Sequence, residues 1–270
     1  MKYMELIGYL ISILIGISLG LIGSGGSILT VPLLVYFFHV SPLLATTYSL
    51  AIVGLSSIAG VISKLKQKLV DFKTIFIFGI PSIIGVFSSR KFLLPAIPEQ
   101  IYNGPNILLT KSHFIMLFFA TLMLASALSM ILGKNKKKQE NVLPFYGFSL
   151  MLLGFCEGSL TGIVGAGGGF LIIPALVIIA KLPMKRAIAT SLVIISIKSL
   201  VGFSGDLMHT FIDWSFLSKI ILLATIGIVT GNYLNKKIEG TKLKKGFGYF
   251  VLVMSLIIIV EQFFFSNLIK

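Results

Sequence analysis

The chain reads GLIGSGGSILTVP at residues 20–32 and GIVGAGGGFLIIP at residues 162–174, which lie 142 positions further on. Both stretches interrupt long apolar sequence, and clustered glycines end helices and let backbones approach closely. The apolar runs beside these glycines, 28–38 and 169–180, are shorter than the about 20 residues that a helix needs to cross a bilayer. The glycines therefore predict two broken segments within a helical membrane protein.

The composition agrees with a membrane location. Hydrophobic residues make up 56% of the 270 residues, charged residues 12%, and the mean hydropathy is +1.01, whereas soluble domains are about 45–50% apolar and about 25% charged. A soluble enzyme and a nucleic-acid-binding protein are excluded, so we assign the net charge of +14 to basic cytoplasmic loops. A single cysteine, Cys156, excludes an intrachain disulfide and a cysteine metal site. With three scattered histidines, we expect no metal and no cofactor.

Charges, prolines and glycines divide the apolar sequence into ten segments. Eight at most are full crossings, and the two segments beside the glycines are short. The segments are 6–22, 28–38, 43–63, 74–90, 112–133, 143–164, 169–180, 186–204, 216–234 and 246–265.

An internal repeat relates the two halves of the chain. A shift of 142 positions aligns residues 20–72 with residues 162–214 without a gap, and it matches glycines, a proline and an aspartate that apolar composition does not align by chance. Asp71, for example, falls on Asp213. We predict a first membrane repeat at 1–133, a polar cytoplasmic linker at 134–141 and a second membrane repeat at 142–270.

The basic residues predict that the two copies have opposite orientations. The loop 64–73 carries four lysines and its equivalent 206–215 none, whereas the loop 39–42 carries no basic residue and its equivalent 181–186 carries three. Lys and Arg collect on the cytoplasmic side. Placing 64–73, 134–141, 181–186 and 235–245 in the cytoplasm gives 16 basic residues inside and 5 outside, the latter including Arg90, with both termini outside.

The predicted fold class follows from the repeat and the charges. We expect an all-α polytopic membrane protein with an inverted internal repeat of two helical halves. Since 143–164 and 169–180 begin and end at cytoplasmic loops, they predict a hairpin that turns at its glycines. Segments 6–22 and 28–38 predict the mirror hairpin from outside.

The glycines of both turns are candidate substrate ligands. Irregular backbone at membrane depth is tolerated only where it is buried in protein or lines a cavity. A helix that starts there directs free N–H groups and a positive dipole end toward an anion. The alternative is tight helix packing without a ligand. The candidates are Gly23, Gly25, Gly26, Gly165, Gly167 and Gly168.

These motifs resemble those of the sulfite exporter TauE/SafE family, also called the toluene-sulfonate uptake permeases. The resemblance rests on Gly23–Pro32, on Gly165–Pro174, and on the pairs Asp71-Phe72 and Asp213-Trp214. It implies a multi-pass inner-membrane transporter of small anions, often sulfite or organosulfonates. The implied partners are a small sulfur-containing anion and the lipid bilayer, with no nucleic acid.

Two charged residues within segments are further candidates. Lys198 lies in the middle of 186–204, where a cation costs about 2.5–3.5 kcal/mol on insertion scales and indicates function. Glu157 lies within 143–164, and a proton-coupled carrier needs a carboxyl group that protonates inside the membrane. We predict Lys198 as a substrate ligand and Glu157 as a proton-coupling residue. The alternatives are a purely structural Lys198–Glu157 pair or a Lys198 that snorkels outward.

Hydroxyls and aspartates occupy matched positions in the two copies. Ser49 and Ser191 lie on the third segment of each copy and are candidate substrate donors, although serine is also an ordinary packing residue in membranes. Asp71 and Asp213 each precede a segment. They are expected to cap its first turn.

Two other functions remain open at this stage. A passive anion channel of the same fold needs no protonatable residue at the site, whereas a carrier does. The pattern Gly202-Phe-Ser-Gly205 is also found in intramembrane serine proteases, which need a histidine on another helix to activate the serine. The duplicated halves are not explained by that chemistry, so we expect a transporter and not an enzyme.

The charge distribution gives a test of topology. In a Cys156→Ser background, we expect single cysteines at positions 66 and 185 to stay unlabelled by a membrane-impermeant thiol reagent added to intact cells. Both should react after the cells are opened. Strong labelling of either position from outside would contradict the inverted arrangement.

Overall fold

The computed structural model describes residues 2–103, 108–132, 146–207, 210–234 and 240–266. Ten helices occupy this part of the chain, with a 3-10 turn at Ser24–Leu29 and a two-stranded hairpin of β1 (Gln100–Asn103) and β2 (Leu108–Thr110). The helices are α1 (Lys2–Ile22), α2 (Thr30–Phe38), α3 (Pro42–Lys66), α4 (Phe72–Ala96), α5 (Lys111–Leu132), α6 (Tyr146–Val164), α7 (Gly169–Ile178), α8 (Met184–Asp206), α9 (Trp214–Leu234) and α10 (Gly240–Ser266).

Each predicted apolar segment corresponds to one helix, which confirms the all-α polytopic membrane fold. Six helices in the described part of the chain are long and apolar enough to cross a bilayer: α3, α4, α5, α6, α8 and α9. The predicted linker 134–141 lies outside the described residues. The division into repeats therefore stays a prediction.

The helices α3 and α8 form the centre of the bundle. About 72% of the apolar window of each is buried, against 33–44% in the other four helices that are long enough to cross. The outer helices keep large apolar side chains exposed, such as Leu14, Phe76 and Leu222. This pattern suits a bundle surrounded by lipid.

One predicted loop residue proves to be helical. Arg90 was expected in an outer loop, but α4 continues past it to Ala96, through a π-helical turn at Ser89–Leu93. Arg90 is only 3% exposed because the carboxylate of Asp206 pairs with it inside the protein. Removing Arg90 from the outer loops strengthens the charge bias on which the predicted orientation rests.

Contacts between the two copies are reciprocal. The helix α1 packs along α9, and its equivalent α6 packs along α4, the equivalent of α9. A methyl group at Gly16 would meet the Ala224 carbonyl, and one at the equivalent Gly158 would meet the carbonyl of Ser82, the equivalent of Ala224. Exchange of this kind is what a two-fold relation between the two predicted copies would give.

The central helices meet at equivalent positions of the repeat. The Ser196 hydroxyl of α8 donates to the Gly54 carbonyl of α3 at 3.2 Å, and these residues are 142 positions apart. The two copies thus interlock instead of forming separate bundles. The inversion of the second copy relative to the membrane stays a prediction.

The expected helix caps are confirmed. The Asp71 carboxylate accepts a hydrogen bond from the Thr74 N–H at 2.9 Å, and the Asp213 carboxylate accepts one from the Phe216 N–H at 3.0 Å. Each cap satisfies an N–H group that the first turn of a helix leaves free.

The backbone N–H groups of these aspartates also join the two copies. Asp71 donates to the Thr190 hydroxyl and Asp213 donates to the Tyr48 hydroxyl, both at 2.9 Å. Thr190 and Tyr48 are equivalent positions of the repeat. A hydroxyl group of each copy therefore accepts a hydrogen bond from the residue that caps a helix of the other copy.

The two glycine turns differ in conformation. In the second turn Gly165, Gly167 and Gly168 all have positive φ, between 64° and 73°, and α7 begins directly afterwards at Gly169, as expected. In the first turn Gly23 has a positive φ, of 78°. The chain then continues as the 3-10 turn, which runs directly into α2 at Thr30, so a helical stretch begins near Gly26 as expected, with 3-10 geometry in its first turn.

The reciprocal close contacts predict a stability difference between two glycines of α6. Gly158→Ala places a methyl group against the Ser82 carbonyl and should cost about 1–3 kcal/mol through overpacking. Gly147→Ala is the matched control, since no atom lies within 4 Å of its added methyl group. Thermal unfolding of both variants in detergent should show a lower melting temperature for Gly158→Ala only. Equal melting temperatures would contradict the close packing.

Candidate functional site

A buried ion pair lies between α6 and α8. The Lys198 Nζ is 2.5 Å from the Glu157 Oε1, and Lys198 is fully buried. The pairing that the sequence allowed between these two residues is therefore present. Because removing one partner of such a pair leaves an uncompensated buried charge, α6 and α8 depend on each other here.

Two hydroxyl groups complete the surroundings of this pair. Ser82 of α4 donates to the Glu157 Oε2 at 2.7 Å, and Lys198 donates to the Thr161 hydroxyl oxygen at 3.2 Å. Thr161 donates in turn to the Glu157 backbone carbonyl at 2.8 Å. Both carboxylate oxygens therefore accept a hydrogen bond, and helices from both copies contribute.

The second glycine turn lies directly against the ion pair. A methyl group built at Gly168 would be 2.5 Å from the Lys198 Nζ and would also overlap the Glu157 Oε1. Only a residue without a side chain fits here, because the position also has a φ of 73°. The structure thus brings together three predicted site residues, Gly168, Lys198 and Glu157.

A second buried charged cluster was not expected from the sequence. The Arg90 Nη1 donates to the Asp206 Oδ2 at 2.7 Å, and the Thr47 hydroxyl donates to the same oxygen at 2.7 Å. A methyl group at Gly165 would lie 2.6 Å from the Arg90 Nη2. The second glycine turn therefore contacts both charged clusters, at Gly165 and at Gly168.

The other candidate glycines have apolar or small polar neighbours. An added methyl group at Gly23 would meet Ile188, and one at Gly26 would meet Ser18 and Leu19 of α1. Gly25 lies within the 3-10 turn. At Gly167 the added methyl group would lie 2.9 Å from Val53 and 3.3 Å from the Ser199 hydroxyl.

The two candidate serines differ in their hydrogen bonding. Ser49 and Ser191 are both fully buried, on α3 and α8. Ser191 donates to the Ile188 carbonyl at 2.9 Å. The Ser49 hydroxyl has no partner among the described residues, and neither has the hydroxyl of Ser199. Buried polar groups are normally paired, so these hydroxyls retain capacity for a ligand.

The charges of the two clusters balance, with two cations and two carboxylates. Within the described ranges, no three His, Cys, Asp or Glu side chains are grouped as a metal site requires. The arrangement suits the binding of small charged solutes by hydrogen bonds and charge.

Comparison with known proteins agrees with this picture. The family described as sulfite exporter TauE/SafE matches residues 8–258. A "Probable membrane transporter protein" of Xylella fastidiosa is 28% identical over 253 residues and covers 91% of each chain. The "Probable membrane transporter protein YunE" of Bacillus subtilis is 26% identical, over 86% of this chain and 90% of its own. No solved structure matches significantly.

The protease interpretation is not supported. The relatives are named as membrane transporters and not as enzymes. Ser204, the serine of the Gly202–Gly205 pattern, donates to the Val201 carbonyl at 2.8 Å, and His113 contacts Thr110. His209 lies outside the described residues.

A double-mutant cycle tests the ion pair. Lys198→Met leaves the Glu157 charge buried alone and should cost about 3–5 kcal/mol. Adding Glu157→Gln removes that charge, so the double variant should recover most of the lost stability. Unfolding of the purified proteins in detergent measures both values. A double variant as unstable as the sum of the two single variants would contradict the pairing.

Proposed function

Because the chain belongs to the sulfite exporter TauE/SafE family, we propose that this membrane transporter is a secondary carrier that moves small anions, such as sulfite or organosulfonates, across the inner membrane. One observation supports this proposal most strongly. The buried Lys198–Glu157 pair lies against the Gly168 turn, where the two copies meet. Charged residues inside membrane helices indicate a substrate or proton pathway.

The partner of Lys198 supports the proposal of an anionic substrate. Lys198 already binds an oxyanion, the Glu157 carboxylate. Lys198 also donates to the Thr161 hydroxyl, and the Ser82 hydroxyl donates to the Glu157 carboxylate. A small oxyanion offers the same acceptor atoms and the same charge. The substrate takes the place of the carboxylate beside the Lys198 ammonium.

Proton coupling follows from charge balance. Protonation of Glu157 releases the Lys198 charge, and binding of one monovalent anion neutralises it again. The empty and the loaded site are then both neutral, which avoids the large penalty of an unpaired buried charge. In this mechanism one proton accompanies each monovalent anion, so a pH gradient drives its transport.

The remaining predicted ligands complete the proposed site. The α7 N-terminus directs its positive dipole end toward the turn of Gly165, Gly167 and Gly168 and attracts an anion. Ser49 and Ser191 offer hydroxyls from the central helices α3 and α8. The first turn, with Gly23, Gly25 and Gly26, supplies the matching part from the other copy.

The ion pair favours a carrier over a passive channel. A channel of the same fold needs no protonatable group, and a fully buried ion pair would obstruct a permanently open pore. A carrier uses such a pair because its members exchange partners during each cycle. The two mechanisms predict different responses to a pH gradient.

Proteoliposome transport decides between these mechanisms. We expect uptake of methanesulfonate, which stays a monovalent anion at every pH tested, to depend on an imposed pH gradient in the wild-type protein and to saturate with concentration. Glu157→Gln should keep methanesulfonate binding but lose the dependence on pH, because no proton can enter at this position. Glu99→Gln is a matched control, since the Glu99 side chain is 81% exposed.

The outcomes are distinct. Uptake by Glu157→Gln that still follows the pH gradient would assign Glu157 a structural role only. Wild-type flux that neither saturates nor responds to pH would support the channel.

A further inference from the structure

The Arg90 side chain is buried within α4. It lies in the π-helical turn Ser89–Leu93, and such turns are frequent at functional sites. Its side chain is fully shielded from solvent, and Asp206 is the acidic residue that pairs with it. An arginine stays charged in proteins, so this position carries a permanent buried cation.

Asp206 accepts a hydrogen bond from only one of the three guanidinium nitrogens of Arg90. The bond to Asp206 comes from Nη1, while Nε and Nη2 have no hydrogen-bond partner among the described residues. These two nitrogens form one edge of the planar group, with two parallel N–H bonds. That edge is the part of arginine that binds two oxygens of one oxyanion.

The second glycine turn packs against this edge. Gly165 has a φ of 70°, and a methyl group there would lie 2.6 Å from the Arg90 Nη2. The Gly165 backbone therefore lies directly beside the unpartnered Arg90 Nη2, with the Thr46 carbonyl next to it.

The position equivalent to Arg90 in the other copy also carries a buried side chain with unpartnered polar atoms. The residue 142 positions after Arg90 is Asn232, which is 5% exposed, and both polar atoms of its amide lack a partner among the described residues. Buried polar groups are normally paired. Two side chains with unpartnered polar atoms at equivalent positions indicate a shared role for this position, instead of an isolated defect in packing.

We propose that Arg90 determines specificity by holding a small oxyanion through its Nε and Nη2 edge, at a site next to Gly165. The proposal rests on the proposed function and adds an anion ligand at a second place along the pathway. Asp206 is eight residues from Lys198 on α8, which is roughly 12 Å along a helix. The Arg90 edge thus selects oxyanions over spherical anions at a position separate from the Lys198–Glu157 pair.

Binding to purified full-length variants tests this proposal. The probes are sulfite, methanesulfonate, phosphate and acetate, with chloride as the spherical control, measured by calorimetry at constant ionic strength. Arg90→Lys keeps the charge that pairs with Asp206 but lacks the two parallel N–H bonds. We expect it to bind the oxyanion at least tenfold more weakly, with chloride binding unchanged.

Two further variants keep the test valid if Arg90→Lys is unstable. Arg90→Gln combined with Asp206→Asn removes both charges together, so it should fold and yet lose the oxyanion. Asp206→Asn alone removes the carboxylate that pairs with the Arg90 Nη1. This variant should bind the oxyanion as tightly as the wild-type protein, or more tightly. A purely structural Arg90 predicts lower melting temperatures without these opposite changes in affinity.

The outcomes separate the two proposals. If the wild-type protein binds sulfite and every Arg90 variant binds it equally well, the Arg90 proposal is overturned and the proposed function stands. If the wild-type protein binds phosphate or acetate but no sulfur oxyanion, and Arg90→Lys loses that binding, Arg90 is supported and the proposed substrate is overturned. Binding of no oxyanion, or of chloride equally well, overturns both.

Discussion

Charges buried among apolar helices must be neutralised inside the protein, and the arrangement at the centre of this transporter depends on that constraint. Lys198 is fully buried and Glu157 neutralises it, so α6 and α8 must stay in contact at this point. Ser82 brings in α4 by bonding to the same carboxylate. The Gly168 turn then fits against the pair, because any side chain at that position would displace one of its members.

Close packing between the two copies makes this arrangement possible. Gly16 and Gly158 let α1 approach α9 and let α6 approach α4 at backbone distance, in reciprocal fashion. Close approach through small residues is the usual way in which membrane helices associate, since lipid provides no hydrophobic drive between them. The same reciprocity sets the central helices against each other at Gly54 and Ser196. The charged clusters thus lie between elements of both copies.

Much of the fold could be predicted from the sequence because membrane helices depend on local features. Apolar length located every helix, and Asp71 and Asp213 marked the starts of two of them, as their capping bonds confirm. The first glycine turn was harder to predict, since the same glycine pattern adopts a 3-10 turn in one copy and three left-handed residues in the other. Turn conformation there depends on tertiary contacts that the pattern does not contain.

The candidate site was only partly predictable for a related reason. Lys198 and Glu157 stand out because each interrupts an apolar segment, although a separation of 41 positions hides their contact. The apolar pattern places Arg90 in a loop because it lies at the end of the segment 74–90. Its partner Asp206 is 116 residues away, so nothing near it in the chain signals burial. The internal repeat offers a signal, since it aligns Arg90 with Asn232 inside an apolar segment of the second copy.

In the proposed mechanism the substrate replaces Glu157 as the partner of Lys198 when Glu157 takes up a proton. Proton uptake can be measured by titrating the purified protein with methanesulfonate, a monovalent anion that does not itself exchange protons, in weakly buffered solution. This mechanism predicts about one proton consumed per anion bound for the wild-type protein and none for Glu157→Gln. Binding without proton uptake by the wild-type protein, or equal uptake by both proteins, would contradict it.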